Sequence, residues 1–286
     1  MGQPVTTVRR MRLGMELRRL REQAGKSQLE AADVVDASDA KISRVESGKT
    51  GMSRLELVAL LDLYEVKDET LREALVDLNR NSRKRGWWQQ RKDVLTPLLM
   101  ELIELESTAG HIFEYEANLI PGLFQTEAYA RAIIGGFPAP HSVSLDEAVQ
   151  IRLERQKILD SPDAPRIICV LDEAALHRQI GGPVVMAEQL RKIVTIANPP
   201  QLSIQVIPNA AGAHAGMDGP FLRFVYPAPA HMDIVLLEQK ESRVFIEEEA
   251  GLEPYRIAEE HLRTQALSSA DSMKLISAIA ADFDHA

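Results

Sequence analysis

Two serines set the scale of the N-terminal region. Ser27 is followed by Gln28-Leu29-Glu30, and Ser53 by Arg54-Leu55-Glu56. In each tetrapeptide the Ser hydroxyl can accept the amide three residues on, while the Glu carboxylate reaches back to the Ser amide. Each therefore marks a helix start. Between them, Asp36-Ala37-Ser38 is a turn whose Ser38 can cap a further helix, and Gly25 and Gly48 stand where the preceding helices should end. A chain with such closely spaced starts and stops cannot build long helices; it must cross several short ones to bury a core. The spacing predicts helices over 11–24, 28–35, 39–47, from Ser53 through LELVALLDLY, and roughly 68–80.

The third of these is poorly apolar. In KISRVESGKT only Ile42 and Val45 can face a core. Asp39, Ala40, Lys41, Ser43 and Arg44 form the other face, which is either a solvated surface or a face made to meet something charged. Five short helices with a tight turn between the second and third fit a helix-turn-helix unit, whose third helix enters the DNA major groove by its N-terminal residues.

Charge points the same way. The net charge is −9, yet residues 1–92 hold 19 Lys and Arg against 14 Asp and Glu, leaving the remainder strongly acidic. If either part meets a polyanion, it is the first. NRNSRKRGWWQQRKD, residues 79–93, reads as a basic linker. Its Arg83-Lys84-Arg85 cluster is a solvated hinge or a phosphate contact. Trp87 and Trp88 either stack on nucleic acid or anchor the edge of a second domain. The expected organisation is a DNA-binding domain over 1–80, a linker over 81–93 and a second domain over 94–286.

The second domain has another texture. Helices are expected at 94–107, 126–134, 144–160, 183–197, 254–266 and 269–283. Five β-rich runs, 166–174, 202–208, 221–226, 233–238 and 243–247, are bounded by Pro, Gly and Asn. The helix between the first two strands permits a parallel crossover, and the last three should form an antiparallel meander. The fold class is thus an all-α helix-turn-helix N-terminal domain plus an α+β C-terminal domain, a small mixed sheet packed with helices. A lone cysteine, Cys169, reads as a buried strand residue and suits a reducing compartment. No apolar run approaches the ~20 residues of a membrane span, and no apolar segment of a secretory signal follows the charged N-terminus, so a cytoplasmic location is expected.

The block LGMELRRLREQAGKSQLEAA followed by SDAKISRVESGKTG resembles the Xre family of helix-turn-helix regulators over about residues 12–66. The resemblance implies that Gln28 hydrogen-bonds a phosphate, and that Asp39, Ala40, Lys41, Ser43 and Arg44 occupy recognition positions; Ser38 at the helix start and Lys49 just beyond its end are further expected DNA contacts. It also implies an ion pair between Arg21 and Glu46 tying the first helix to the third. Asp39 departs from the Gln common at its position; it is a cytosine reader or a helix-dipole partner. Blocks such as LIPGLFQTEAYARAII, IRLERQKIL, LDEAALHRQIGGP and IQVIPNAAGAHAGMDGPF resemble an uncharacterised domain that follows this unit in many actinobacterial regulators. Paired half-sites on double-stranded DNA would call for a homodimer; the resemblance implies a small protein partner encoded nearby, in an antitoxin-like role, and a small-molecule effector is the other expected signal.

Chemistry is thinly supported. No two of the seven histidines are spaced i, i+4, and HExxH, Walker-type, GxGxxG and GxSxG motifs are missing, so neither a metal, a cofactor nor a catalytic residue is expected. Glu173 at a strand end reads mainly as helix N-terminal charge, and Glu247-Glu248-Glu249 as a solvated face. The remaining candidate is PNAAGAHAGMDGPF, 208–221, either a flexible hairpin connection or a loop whose His214, Met217 and Asp218 meet a ligand or partner.

Overall fold

The computed structural model describes residues 8–81, 86–91, 93–136, 143–198, 200–226, 232–239 and 242–285. Arg83-Lys84-Arg85 lies outside these, as does Lys92 of the linker. The chain divides into two compact units, with the main boundary between Thr108 and Ala109 and with Tyr226 and Met232, at the ends of two strands, grouped with the first.

The first unit holds α1 (Val8–Gln23), α2 (Gln28–Val34), α3 (Asp39–Glu46), α4 (Arg54–Leu63), α5 (Glu69–Asn81) and α6 (Pro97–Thr108). Both capping boxes form as expected, and Ser38 accepts the amide of Lys41. The α2–α3 turn passes through Asp36 at φ 48°, a left-handed conformation that a short Asx side chain tolerates. Gly48, at φ 71°, ends α3. Leu13, Leu17 and Leu20 of α1 meet Ala31, Ala32, Ile42, Val45, Leu57 and Leu61 in one core. The closest approach is at Gly14, where a Cβ would lie 2.4 Å from the Val45 carbonyl oxygen and 2.6 Å from that of Glu46. Only glycine lets α1 cross the end of α3 this tightly. Trp87 and Trp88 lie on a 3-10 turn, Trp87–Arg91, with their rings edge to face at 6.2 Å. Trp88 is buried, which removes it from the stacking role.

The second unit is built on a six-stranded mixed sheet: β1 (His111–Glu116), β2 (Arg166–Asp172), β3 (Leu202–Ile207), β4 (Phe221–Tyr226), β5 (Met232–Glu238) and β6 (Arg243–Ile246), in the order β3-β2-β1-β4-β5-β6. Around it run α7 (Glu127–Gly135), α8 (Leu145–Gln156), α9 (Glu173–His177), α10 (Pro183–Ile196), α11 (Glu249–Gln265) and α12 (Ser269–Asp284). β2 and β3 are parallel, with α10 as the expected crossover helix and the short α9 before it, where the sequence reading carries the strand on to 174. β5 and β6 are antiparallel.

β1 is a strand that the sequence reading missed, and it sits at the middle. It runs parallel to β2, with Phe113 opposite Ile168, and antiparallel to β4, with Phe113 opposite Arg223. α11 begins at Glu249, five residues before Pro254, so the proline lies inside the helix rather than opening it. Leu252 and Leu262 of α11 pack on Phe113, Tyr115, Ile168 and Val170. Arg223 fixes this layer, donating to Glu259 of α11 at 2.7 Å and to Asp233 of β5 at 2.8 Å.

Two stability experiments follow from this packing. Gly14→Ala should destabilise the helical unit by at least about 1–3 kcal/mol, the usual cost of overpacking, read as a lowered unfolding midpoint in denaturant. Glu116 closes β1. Burial pushes its carboxyl up to about 7 from an ordinary 4.5, and Glu238 adds to the shift. The folded state therefore holds a proton that the unfolded state has released, and ionisation above pH 7 costs stability that is regained as pH falls towards 4.5. Glu116→Gln should stabilise the protein at pH 8 by on the order of 1–3 kcal/mol, with the gain vanishing near pH 4.5 in paired thermal melts.

Candidate nucleic-acid interface

α3 presents two faces. Ile42, Val45 and Glu46 are turned inward and buried. Asp39, Ala40, Ser43 and Arg44 are exposed, and Lys41 is half-buried. The inward face is held by charge as well as by packing. Arg21 donates to Glu46 through Nε at 2.6 Å and Nη2 at 3.1 Å, and the expected α1–α3 ion pair is present. Arg21 also donates to the Lys26 carbonyl at 2.8 Å, which ties in the α1–α2 connection. The hydrogen bond to Glu46 raises the Arg21 pKa further above its ordinary value. Tyr64 lies over the same region, and burial, with Glu46 next, raises its phenol pKa.

Gln28 is placed differently from the expectation. Its amide donates to Glu46 Oε2 at 2.9 Å, so one of its two N–H groups is committed inside the protein. Lys41 is likewise committed: its ammonium pairs with Glu56, the N3 carboxylate of the α4 capping box. It links α3 to α4 instead of standing free over the outward face. Asp39 Oδ1 accepts the Ala40 amide at 2.7 Å, which favours its helix-terminus role. Arg44 and Lys49 are exposed and, among the described residues, neither side chain has a protein partner. Ser38 is spent on the cap of α3. Arg54, an exposed cation in the first turn of α4, was not singled out by the sequence reading, although the capping box beside it marked its position.

The other candidate, 208–221, is no hairpin. β3 and β4 are separated by β2 and β1, so the connection must pass over the sheet's end. It is pinned there. His214 is buried, with Nε2 3.2 Å from Asp172 Oδ2, and its Nδ1 accepts the Gly216 amide at 3.2 Å. A Cβ on Gly216 would fall 2.3 Å from the Tyr115 ring, and that ring stands edge-on to His214 at 5.9 Å. Asp172 caps α9 through Ala174, and Glu173 accepts the Asn209 amide at 2.7 Å. Both nitrogens of His214 are thus occupied in anchoring the loop. Met217 and Asp218 are exposed at its tip.

The helix-turn-helix domain family matches residues 12–75, the span of α1 to α4 and the first half of α5. A second family, described as a domain of unknown function (DUF5753), matches residues 99–278, well over half of the chain. This chain belongs to the DUF5753 family. No curated protein and no solved structure matches it. The helix-turn-helix domain points to a DNA-binding regulator. The DUF5753 match begins within α6, ahead of the division into compact units.

Within the DUF5753 region, side chains from α8 and α10 converge on residues 120–126. Gln156 donates to the carbonyls of Gly122 and Gln125 at 2.9 and 2.8 Å. Arg152 donates to the Gln125 side chain at 2.7 Å. Gln189, fully buried, accepts the Thr126 amide at 2.7 Å and donates to the Phe124 carbonyl at 2.8 Å. An irregular segment can be buried only if its backbone groups are satisfied, and this set of amides does so. Among the described residues no group of His, Cys, Asp and Glu is placed to hold a metal, and no helix is long and apolar enough to cross a membrane.

The Arg21–Glu46 pair is open to a direct check. Arg21→Ala leaves the Glu46 carboxylate buried without its cation and should cost about 3–5 kcal/mol of stability. Arg21→Met with Glu46→Leu should recover most of that loss, as read by urea unfolding of the three proteins.

Proposed function

We propose that this DUF5753 protein is a sequence-specific transcriptional regulator of the Xre kind that sets the outward face of α3, from Asp39 to Arg44, into the DNA major groove. The observation that carries the reading is the division of α3. Its inner face is fixed by Ile42, Val45 and the Arg21–Glu46 pair, while Arg44 is exposed and, among the described residues, its side chain has no protein partner. A guanidinium so placed suits the two acceptors of a guanine edge or a phosphate. Ala40 and Ser43 share its face, and Lys49 and Arg54 flank it as phosphate contacts. The second amide N–H of Gln28 is a further phosphate donor.

The second domain takes the part of a sensor, responding to a small ligand or a partner and supporting a homodimer, since paired half-sites require two recognition helices. The protein is cytoplasmic and non-enzymatic in this reading. The occupied nitrogens of His214 support the latter, because they leave that side chain no free base. In the alternative role the chain is an antitoxin-like protein that holds a small partner encoded nearby and uses DNA binding for autoregulation. The exposed Met217 offers such a partner an apolar contact.

Arg44→Ala tests the groove assignment. On the duplex that the wild-type protein selects, it should weaken binding by about 1–3 kcal/mol and relax preference at one base position. Lys49→Ala should weaken all duplexes alike and reduce the salt slope by about one. Unchanged affinity and preference for Arg44→Ala in the same titration would remove α3 from the groove.

A further inference from the structure

The buried segment 120–126 borders a cavity of about 440 Å³, within the range of about 300–1,000 Å³ typical of small-molecule sites. The cavity lies between α8 and the 3-10 turn after it, α10, and the first residues of β2 and β3. Leu123, Leu153, Leu159, Ile167, Ile196 and Leu202 make most of its wall apolar.

Two cations, Lys157 and Lys192, stand on the lining. Lys192 of α10 is half-buried, and its ammonium donates to the Gln125 carbonyl at 2.7 Å and to Gln156 Oε1 at 3.0 Å. Both acceptors are neutral, and among the described residues no carboxylate pairs with it. Desolvation lowers its pKa, and Asp160 on the same lining opposes that from a distance. The fold does not need this charge to satisfy the segment, because the Gln125 carbonyl already accepts from Gln156. Two of the three ammonium hydrogens are used, and the third is available. A charge withdrawn from water and compensated only by dipoles is costly, and an anion placed against it offsets that cost.

We infer that the cavity binds a small amphiphilic monoanion, its carboxylate on Lys192 and its apolar body against Leu153, Leu159 and Ile196. A dianion is a poorer match. Asp160 would repel its second charge, and the other cation on the lining, Lys157, is already paired with Glu154 at 2.5 Å. Asn198, also on the lining, offers a side-chain amide as a second donor. The inference deepens the sensing role proposed above and takes its biological sense from it.

Calorimetric titration of the full chain with octanoate, and with octanol as the uncharged counterpart, tests the site without DNA. Octanoate should bind saturably at one site per chain. Lys192→Gln should weaken octanoate at least about tenfold, the loss of one charge-assisted hydrogen bond, and leave octanol nearly unchanged. Lys192→Arg should restore octanoate binding. Leu159→Trp, which fills the cavity, should abolish both ligands. Lack of saturable octanoate binding by the folded wild type, or octanoate binding that survives either Lys192→Gln or Leu159→Trp unchanged, overturns the inference. Should Lys192→Gln not fold, Leu159→Trp and the contrast of octanoate with octanol decide alone. A second titration, of the selected duplex with and without octanoate, separates the two ideas: octanoate that binds yet leaves DNA affinity unchanged upholds the site and counts against sensing.

Discussion

Glu46 is the point on which the DNA-facing unit turns. It is buried at the end of α3, where three donors from Arg21 and Gln28 converge on it. Apolar packing alone would let α3 roll about its axis, since Ile42 and Val45 offer only two contacts to the core. A buried ion pair adds little net stability over an apolar pair of similar volume. It adds direction instead, because a bidentate guanidinium fixes both the distance and the angle between α1 and α3. Gly14 then lets the two backbones meet at that angle, a contact that any side chain would obstruct. Once the inner face is locked, the outward placement of Arg44 follows from the 3.6-residue period.

The sheet-bearing unit solves a different problem. β5 and β6 pair as consecutive antiparallel neighbours, but the connections that carry 120–126 and 208–221 join strands that do not fold back on each other, so their irregular backbone has to be buried or tethered. Residues 120–126 are satisfied by Gln125, Arg152, Gln156, Gln189 and Lys192, and 208–221 is tethered through His214 and Gly216. The two devices differ in what they leave over. His214 has spent both nitrogens, whereas Lys192 keeps a hydrogen and a charge.

Local physics was legible in the sequence. Ser27, Ser38 and Ser53 cap the helices they open, since capping needs only residues three apart. The Arg21–Glu46 pair was reached through a resemblance, not through spacing. What the sequence hid was non-local. β1 was missed because Glu114 and Glu116 interrupt a short run next to a helix rich in the same residue types. Two carboxylates in six residues read as a solvated segment, and the run itself does not reveal that the strand lies at the middle of the sheet. The loop 208–221 looked like a hairpin because β3 and β4 are consecutive, yet two strands separate them. Lys41 and Gln28 looked free because their acceptors, Glu56 and Glu46, are 15 and 18 residues away. Nothing in the sequence sets Lys192 apart on its helix, because the cavity beside it is made by residues from α8, β2 and β3.

The central claim is that α3 reads DNA sequence, and selection of duplexes from a random library by the full chain, at moderate salt, tests it most directly. The expected result is enrichment of one short motif, present as two half-sites about one helical turn apart if the protein acts as a dimer. A library that stays random after repeated rounds, while the protein remains folded, would contradict it.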